Sequence, residues 1–157
     1  MTKYPPHIYI GIFDPMLRIH RTLFYDLANI YPDLSIIAHP GTHLDADDTL
    51  NMLRIYQIPD ERIHVIPRHN TDEQFISYLN HAEKIFCDFY REKGELILHD
   101  EKKHQLFESF IHKISWIEIA EEHKEISSKS FWDEPEQHHK WVHQDVFQLF
   151  VKNKILN

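Results

Sequence analysis

The spacing of apolar positions changes repeatedly along the chain. His7 to Phe13 is a short run rich in β-branched and aromatic residues, and predicts a strand. From Thr22 to Ile30 the apolar residues Leu23, Phe24, Leu27 and Ile30 recur at helical spacing. The alternation continues with Leu34 to Ala38 as strand, Asp47 to Tyr56 as helix, and Arg62 to Ile66 as strand. Thr71 to Tyr90 then predicts a long amphipathic helix, opened by Thr71 and Gln74 in capping-box spacing. Glu95 to His99 predicts a strand, and Lys102 to His112 a helix that carries Leu106, Phe107, Phe110 and Ile111. Ser115 to Ile119 predicts a last strand and Gln144 to Lys154 a last helix. Between them Ser127 to His143 is a polar connection with room for a short helix.

About five strands alternating with helices predict an α/β fold: a doubly wound parallel sheet with helices on both faces. No repeat, low-complexity tract or linker divides residues 1–157, so one domain is expected. In such sheets ligands bind beyond the carboxyl ends of the strands, near the point where the strand order reverses. The corners to search are Gly11 to His20, Ala38 to Asp48, Pro67 to Thr71, Asp100, and Ala120 to Lys129.

Composition narrows the partners. With 42% hydrophobic and 27% charged residues the chain has the makeup of a folded globular protein. Its formal charge of −8 speaks against nucleic acid and against an anionic membrane surface, since both reward a basic patch. A small anionic ligand, held by a few local groups, is compatible with it. The 14 histidines would add positive charge below about pH 6.5. Cys87 is the single cysteine, and its apolar surroundings predict a buried, inert thiol. The opening MTKYPPHIYIG has no signal-peptide pattern, and no apolar run approaches the ~20 residues of a membrane span. The expected compartment is the cytoplasm.

The first corner has the ingredients of an anion site. Gly11 lets backbone approach a ligand, Pro15 stiffens the turn, and His20 projects near a helix N-terminus, where unpaired N–H groups and the helix dipole attract phosphate. The segment GIFDPMLRIH resembles the GxFDPxHxGH signature of the nucleotidylyltransferase superfamily, which includes phosphopantetheine and nicotinamide-mononucleotide adenylyltransferases. Gly11, Phe13, Asp14, Pro15 and His20 match, while Leu17 stands in place of the first histidine and Ile19 in place of the glycine. Near the other end, EISSKSFW resembles the superfamily's ISSTxxR segment through Ile126, Ser127 and Ser128. Lys129 and Trp132 replace its threonine and arginine.

This resemblance implies a Rossmann-like fold and transfer of a nucleotidyl group, adenylyl by the ISS segment, from ATP (or CTP) to a small phosphate-bearing acceptor. Pyrophosphate would be released with the help of Mg²⁺. By position His20 would be the catalytic group at the α-phosphate, with Gly11, Phe13 and Asp14 lining the nucleotide; Ser127, Ser128 and Lys129 would hold the outer phosphates. Such a reaction mainly needs in-line geometry and charge stabilisation. A homo-oligomer would also match the resemblance.

Other residues could add charge. His39 and His43 follow the second strand, Arg68 follows the third, and Lys102 with Lys103 follows the fourth predicted strand. His39, His43, Asp45, Asp47 and Asp48 are metal-binding types, yet their spacing fits no recognised metal motif, and the aspartates suit a helix N-terminus. The cap is therefore the expected role. Leu17, Ile19 and Trp132 leave open a nucleotide-binding protein of the same fold without the reaction. A third alternative is the nucleotide-sugar half of a glycosyltransferase, because residues 47–89 also suit that family's helix, strand, helix order.

Overall fold

The structure is a computed structural model that describes residues 4–39, 41–67, 71–87, 108–116 and 128–156. Five strands, β1 (His7–Gly11), β2 (Ser35–Ala38), β3 (Ile63–Val65), β4 (Lys84–Cys87) and β5 (Ile114–Trp116), form one sheet in the order β3-β2-β1-β4-β5. All four pairings are parallel. The chain steps outward from β1 through β2 to the β3 edge, then crosses back to lay β4 on the other side of β1. The order therefore reverses between β1 and β4, which makes that crevice the expected ligand position.

Each strand feeds both faces, because successive side chains point to opposite sides. Tyr9, Ile36, Ala38 and Phe86 belong to one core, and Ile8, Ile10, Ile37, Ile85 and Cys87 to the other. The first core is covered by α1 (Arg18–Ile30) through Phe24, by α2 (Ala46–Ile55) through Met52 and Leu53, and by the C-terminal part of the chain. There α4 (Ser128–Asp133) supplies Phe131 and α5 (Gln144–Lys152) supplies Val146 and Phe150. The second core is covered by α3 (Thr71–His81) through Phe75 and Leu79. Helices on both faces of a parallel sheet are the architecture that the alternation predicted.

The main correction concerns the predicted helix Thr71 to Tyr90, which ends at His81. The N–H groups of Glu83 and Lys84 both donate to the Pro6 carbonyl, at 2.7 and 3.1 Å, which turns the chain into a strand beside β1. Lys84–Cys87 is then flanked by β1 and β5, so Ile85, Phe86 and Cys87 are buried on both faces. An apolar run buried on two faces has no alternation, and its spacing also fits a helical stripe. Cys87 is buried as expected, on this strand rather than on a helix. The predicted strand Glu95 to His99 lies outside the described residues, as does most of the predicted helix from Lys102; near its end the chain forms a 3₁₀ turn at Ile111–Lys113. The expected Thr71 cap also concerns a side chain outside the description. No helix among the described residues is long and apolar enough to cross a membrane.

Candidate functional site

The first corner leaves β1 at its carboxyl end and enters α1. Phe13 folds back so that its ring lies against Gly11: a Cβ at Gly11 would sit 2.9 Å from Phe13 Cζ. Gly11 thus admits a protein ring, and Phe13 is core, packed edge-on to Tyr9. Together Gly11 and Phe13 shape the backbone of the corner.

Asp14, only 7% exposed, turns its carboxylate toward the loop after β2. Its Oδ2 accepts from the N–H groups of Thr42 and His43, each at 3.0 Å, and its Oδ1 from that of Leu44 at 2.9 Å. His43 Nδ1 lies 3.1 Å from Oδ2 as well. The loop comes so close that a Cβ at Gly41 would stand 2.5 Å from Asp14 Cβ and Cγ. A carboxylate that collects several backbone N–H groups is a strong fastening, because charge-assisted bonds are about twice as strong as neutral ones. Asp14 therefore clamps the second corner onto the first.

The last motif closes on the same corner. Ser128 Oγ donates to the Pro15 carbonyl at 2.8 Å, and the Trp132 indole N–H donates to the Asp14 carbonyl. Trp132 stacks on His43, with ring centroids 4.3 Å apart and planes 14° from parallel. Ser128, expected at the outer phosphates, thus gives its proton to backbone; its oxygen lone pairs lie at the corner. Trp132, where the motif has arginine, acts as a brace between two loops and α4. Met16 and Leu17, the latter in place of the first motif histidine, are both fully buried. The Met16 carbonyl accepts from Tyr56 Oη at 2.7 Å, and that oxygen accepts the His143 N–H at 3.1 Å. Burial pushes the Tyr56 phenol up to about 12, so it remains a neutral donor across the working pH range.

His20 stands apart from this clamp. It is the third residue of α1, and its Nδ1 accepts the Leu17 N–H at 3.0 Å, one half of a capping box. A ring nitrogen that accepts an N–H carries no proton, so the neutral ring holds its proton on Nε2. Phe13 packs edge-on against the ring, with centroids 5.9 Å apart, which adds to its orientation. His20 is thus a positioned donor in the first turn of the helix that follows β1.

Of the remaining candidates, His39 is buried behind the corner; its N–H continues the ladder to the Gly11 carbonyl at 2.9 Å, and its ring meets Phe75 edge-on. His43 is committed to Asp14 and Trp132. Asp45 is the N-cap of α2 and accepts the Asp48 N–H at 2.7 Å, as expected for a cap. Among the described residues, no group of three or more histidine, cysteine and acidic side chains is placed to hold a metal ion. Arg68, Lys102 and Ser127 lie outside the described residues, and the Lys129 side chain does too. The structure brings Gly11, Phe13, Asp14, His20, His39, His43 and Ser128 to one edge of the sheet. Sequence reasoning missed Tyr56 and the bracing by Trp132. Tyr56 closes α2 and gave no signal, while Trp132 was marked only as the residue in place of the motif arginine.

The sequence matches no family model and no curated protein. Among solved structures, the chain shares its fold with Plasmodium falciparum nicotinic acid mononucleotide adenylyltransferase complexed with APC. The TM-score is 0.55 at 12% identity, over 94% of this chain and 94% of that one. The fold implied by the two terminal motifs is thus the fold found, with nearly the whole chain of a nucleotidylyltransferase superposed on it.

Proposed function

We propose that this protein binds a nucleotide at the carboxyl edge of β1 and β4, and transfers its nucleotidyl group to a small phosphate-bearing acceptor. The single observation that carries the proposal is His20. Its cap to Leu17 fixes the ring and leaves the Nε2 proton as the ring's donor, in the first turn of α1 and next to the point where strand order reverses. There His20 Nε2 donates to an α-phosphate oxygen, and the donation strengthens as charge builds on that oxygen in the transition state. The acceptor phosphate attacks the α-phosphorus in line, the bond to the bridging oxygen breaks, and pyrophosphate leaves. Mg²⁺ would arrive with the triphosphate, because the Asp14 carboxylate is occupied by the loop at Thr42 to Leu44. Arg68, Lys102, Ser127 and Lys129 are proposed to supply further contacts to the phosphates.

ATP is the first donor to try, with CTP beside it, and nicotinic acid mononucleotide is the first acceptor. The test is pyrophosphate release from ATP, Mg²⁺ and a panel of such acceptors, by the wild-type chain and by His20→Asn. Asn offers an oxygen where His20 has Nδ1, so the cap is kept while the Nε2 donor is lost. Release by the wild type that falls about a hundredfold or more in His20→Asn is expected for a preorganised donor. Equal release by both would refute the role given to His20.

Two observations favour a second reading, in which the chain binds nucleotide without transferring it. Trp132 stands in the place of the motif arginine, bound to the Asp14 carbonyl and stacked on His43, and Leu17 is buried where the first motif histidine would be. Saturable ATP binding without pyrophosphate release from any acceptor would select that reading.

A further inference from the structure

The C-terminal part of the chain forms an open cleft of about 660 Å³ beside the first turn of α1, lined by Arg18, Lys140 and Phe147 among others. Arg18 differs from Arg54 and resembles Arg21, whose Nε likewise donates to a backbone carbonyl, that of Tyr56 at 2.8 Å. Arg54 donates through Nε and Nη2 to the two carboxylate oxygens of Asp60 and is neutralised. Arg18 instead donates through Nε to two backbone carbonyls, those of Lys140 at 3.1 Å and Val142 at 3.0 Å. This fixes the guanidinium plane without cancelling its charge, in a side chain that lines the cleft. Among the described residues, neither Arg18 nor Lys140 is in an ion pair, although Glu136 is also in the cleft wall. In a chain with a formal charge of −8, this is a local excess of positive charge.

The rest of the wall is suited to an organic body. Phe147 is half-buried and meets the His139 ring edge-on at 6.0 Å, and Gln144 and Gln148 add amides one helical turn apart on α5. The volume lies within the usual range for a small-molecule site.

We infer that this cleft binds a small organic phosphate, with the phosphate between Arg18 and Lys140 and the apolar body over Phe147. A fixed arginine beside an exposed lysine suits a doubly charged phosphate better than a single carboxylate. Arg18 and His20 share the first turn of α1, so an occupant of the cleft holds the turn that carries His20. The site does not depend on the nucleotidyl-transfer reading.

The test is calorimetric titration of the full chain with phenyl phosphate, and with inorganic phosphate in parallel. One saturable site per chain is expected for phenyl phosphate, with inorganic phosphate at least about tenfold weaker for want of an apolar body. Lys140→Glu and Gln148→Glu, both at exposed positions, should each weaken phenyl phosphate about tenfold or more, and His20→Asn should leave it unchanged. The inference is overturned if phenyl phosphate gives no saturable heat, if both glutamate variants bind like the wild type, or if His20→Asn abolishes binding and so places the probe in the corner. Equal binding of inorganic phosphate would overturn it too.

Discussion

The two ends of the Gly11 to His20 corner use polar side chains in opposite ways. At the Asp14 end the carboxylate is filled by backbone of the loop after β2, and the carbonyls of Asp14, Pro15 and Met16 receive Trp132, Ser128 and Tyr56. At the His20 end, one ring nitrogen is used to cap α1, and this sets the other as a donor. The difference teaches that a motif can contain a frame and a reacting group side by side. On the proposed function, removing Asp14 should cost stability and removing the His20 ring should cost nucleotide binding and transfer.

That contrast can be broken at several points, beginning with the frame. Asp14→Ala removes the acceptor of three buried or half-buried backbone N–H groups. It should lower stability by about 3 kcal/mol or more, a fall of roughly 10 °C in melting temperature for a chain of this size. Thermal unfolding followed by circular dichroism reads this directly. Gly41→Ala attacks the same clamp from the other side, because the new Cβ would meet Asp14 at 2.5 Å. A loss of about 2 kcal/mol is expected from the shift that the loop must make, again read from melting.

Tyr56→Phe cuts the link from the corner to the N-terminus of α5, and should cost about 1 to 2 kcal/mol. It carries a pH signature as well. The folded chain holds the Tyr56 phenol up to about 12 from an ordinary value of 10.0, so the unfolded chain loses that proton first. Stability from this group is complete below about pH 10 and is lost as pH rises from there towards 12. In Tyr56→Phe that part of the alkaline decline should be missing from a series of melting curves. The smallest effect on stability is expected from His20→Asn, about 0.5 kcal/mol or less, because the cap acceptor is kept. A large loss of stability in this variant would make His20 part of the frame and erase the contrast.

Much of the fold was legible because it rests on local period. The β1, α1, β2 and α2 segments each show one clear spacing, and their observed bounds lie close to those expected. Lys84–Cys87 was missed because a strand buried on both faces has no polar alternate positions to distinguish it from a helical stripe. In the site, Gly11, Asp14, His20 and Ser128 could be singled out by residue type and order. Their division of labour could not, since it depends on contacts between distant segments. The Asp14 clamp needs Gly41 to Leu44 folded against it, and the brace needs Trp132 brought from α4 onto His43. The capping of Leu17 by His20 is a contact within one turn, but leucine and histidine are not the residues of an ordinary capping box, so it too was hidden in the sequence.

On the proposed function, the His20 Nε2 proton meets the phosphate of a bound nucleotide. The most direct measurement is calorimetric titration of ATP with Mg²⁺ into the wild-type chain and into His20→Asn, at a temperature where both are fully folded. Saturable binding by the wild type that weakens about tenfold or more in His20→Asn, the usual cost of losing a hydrogen bond to a charged group, is the predicted result. Equal affinity in the two chains, or no binding by the wild type, would contradict it.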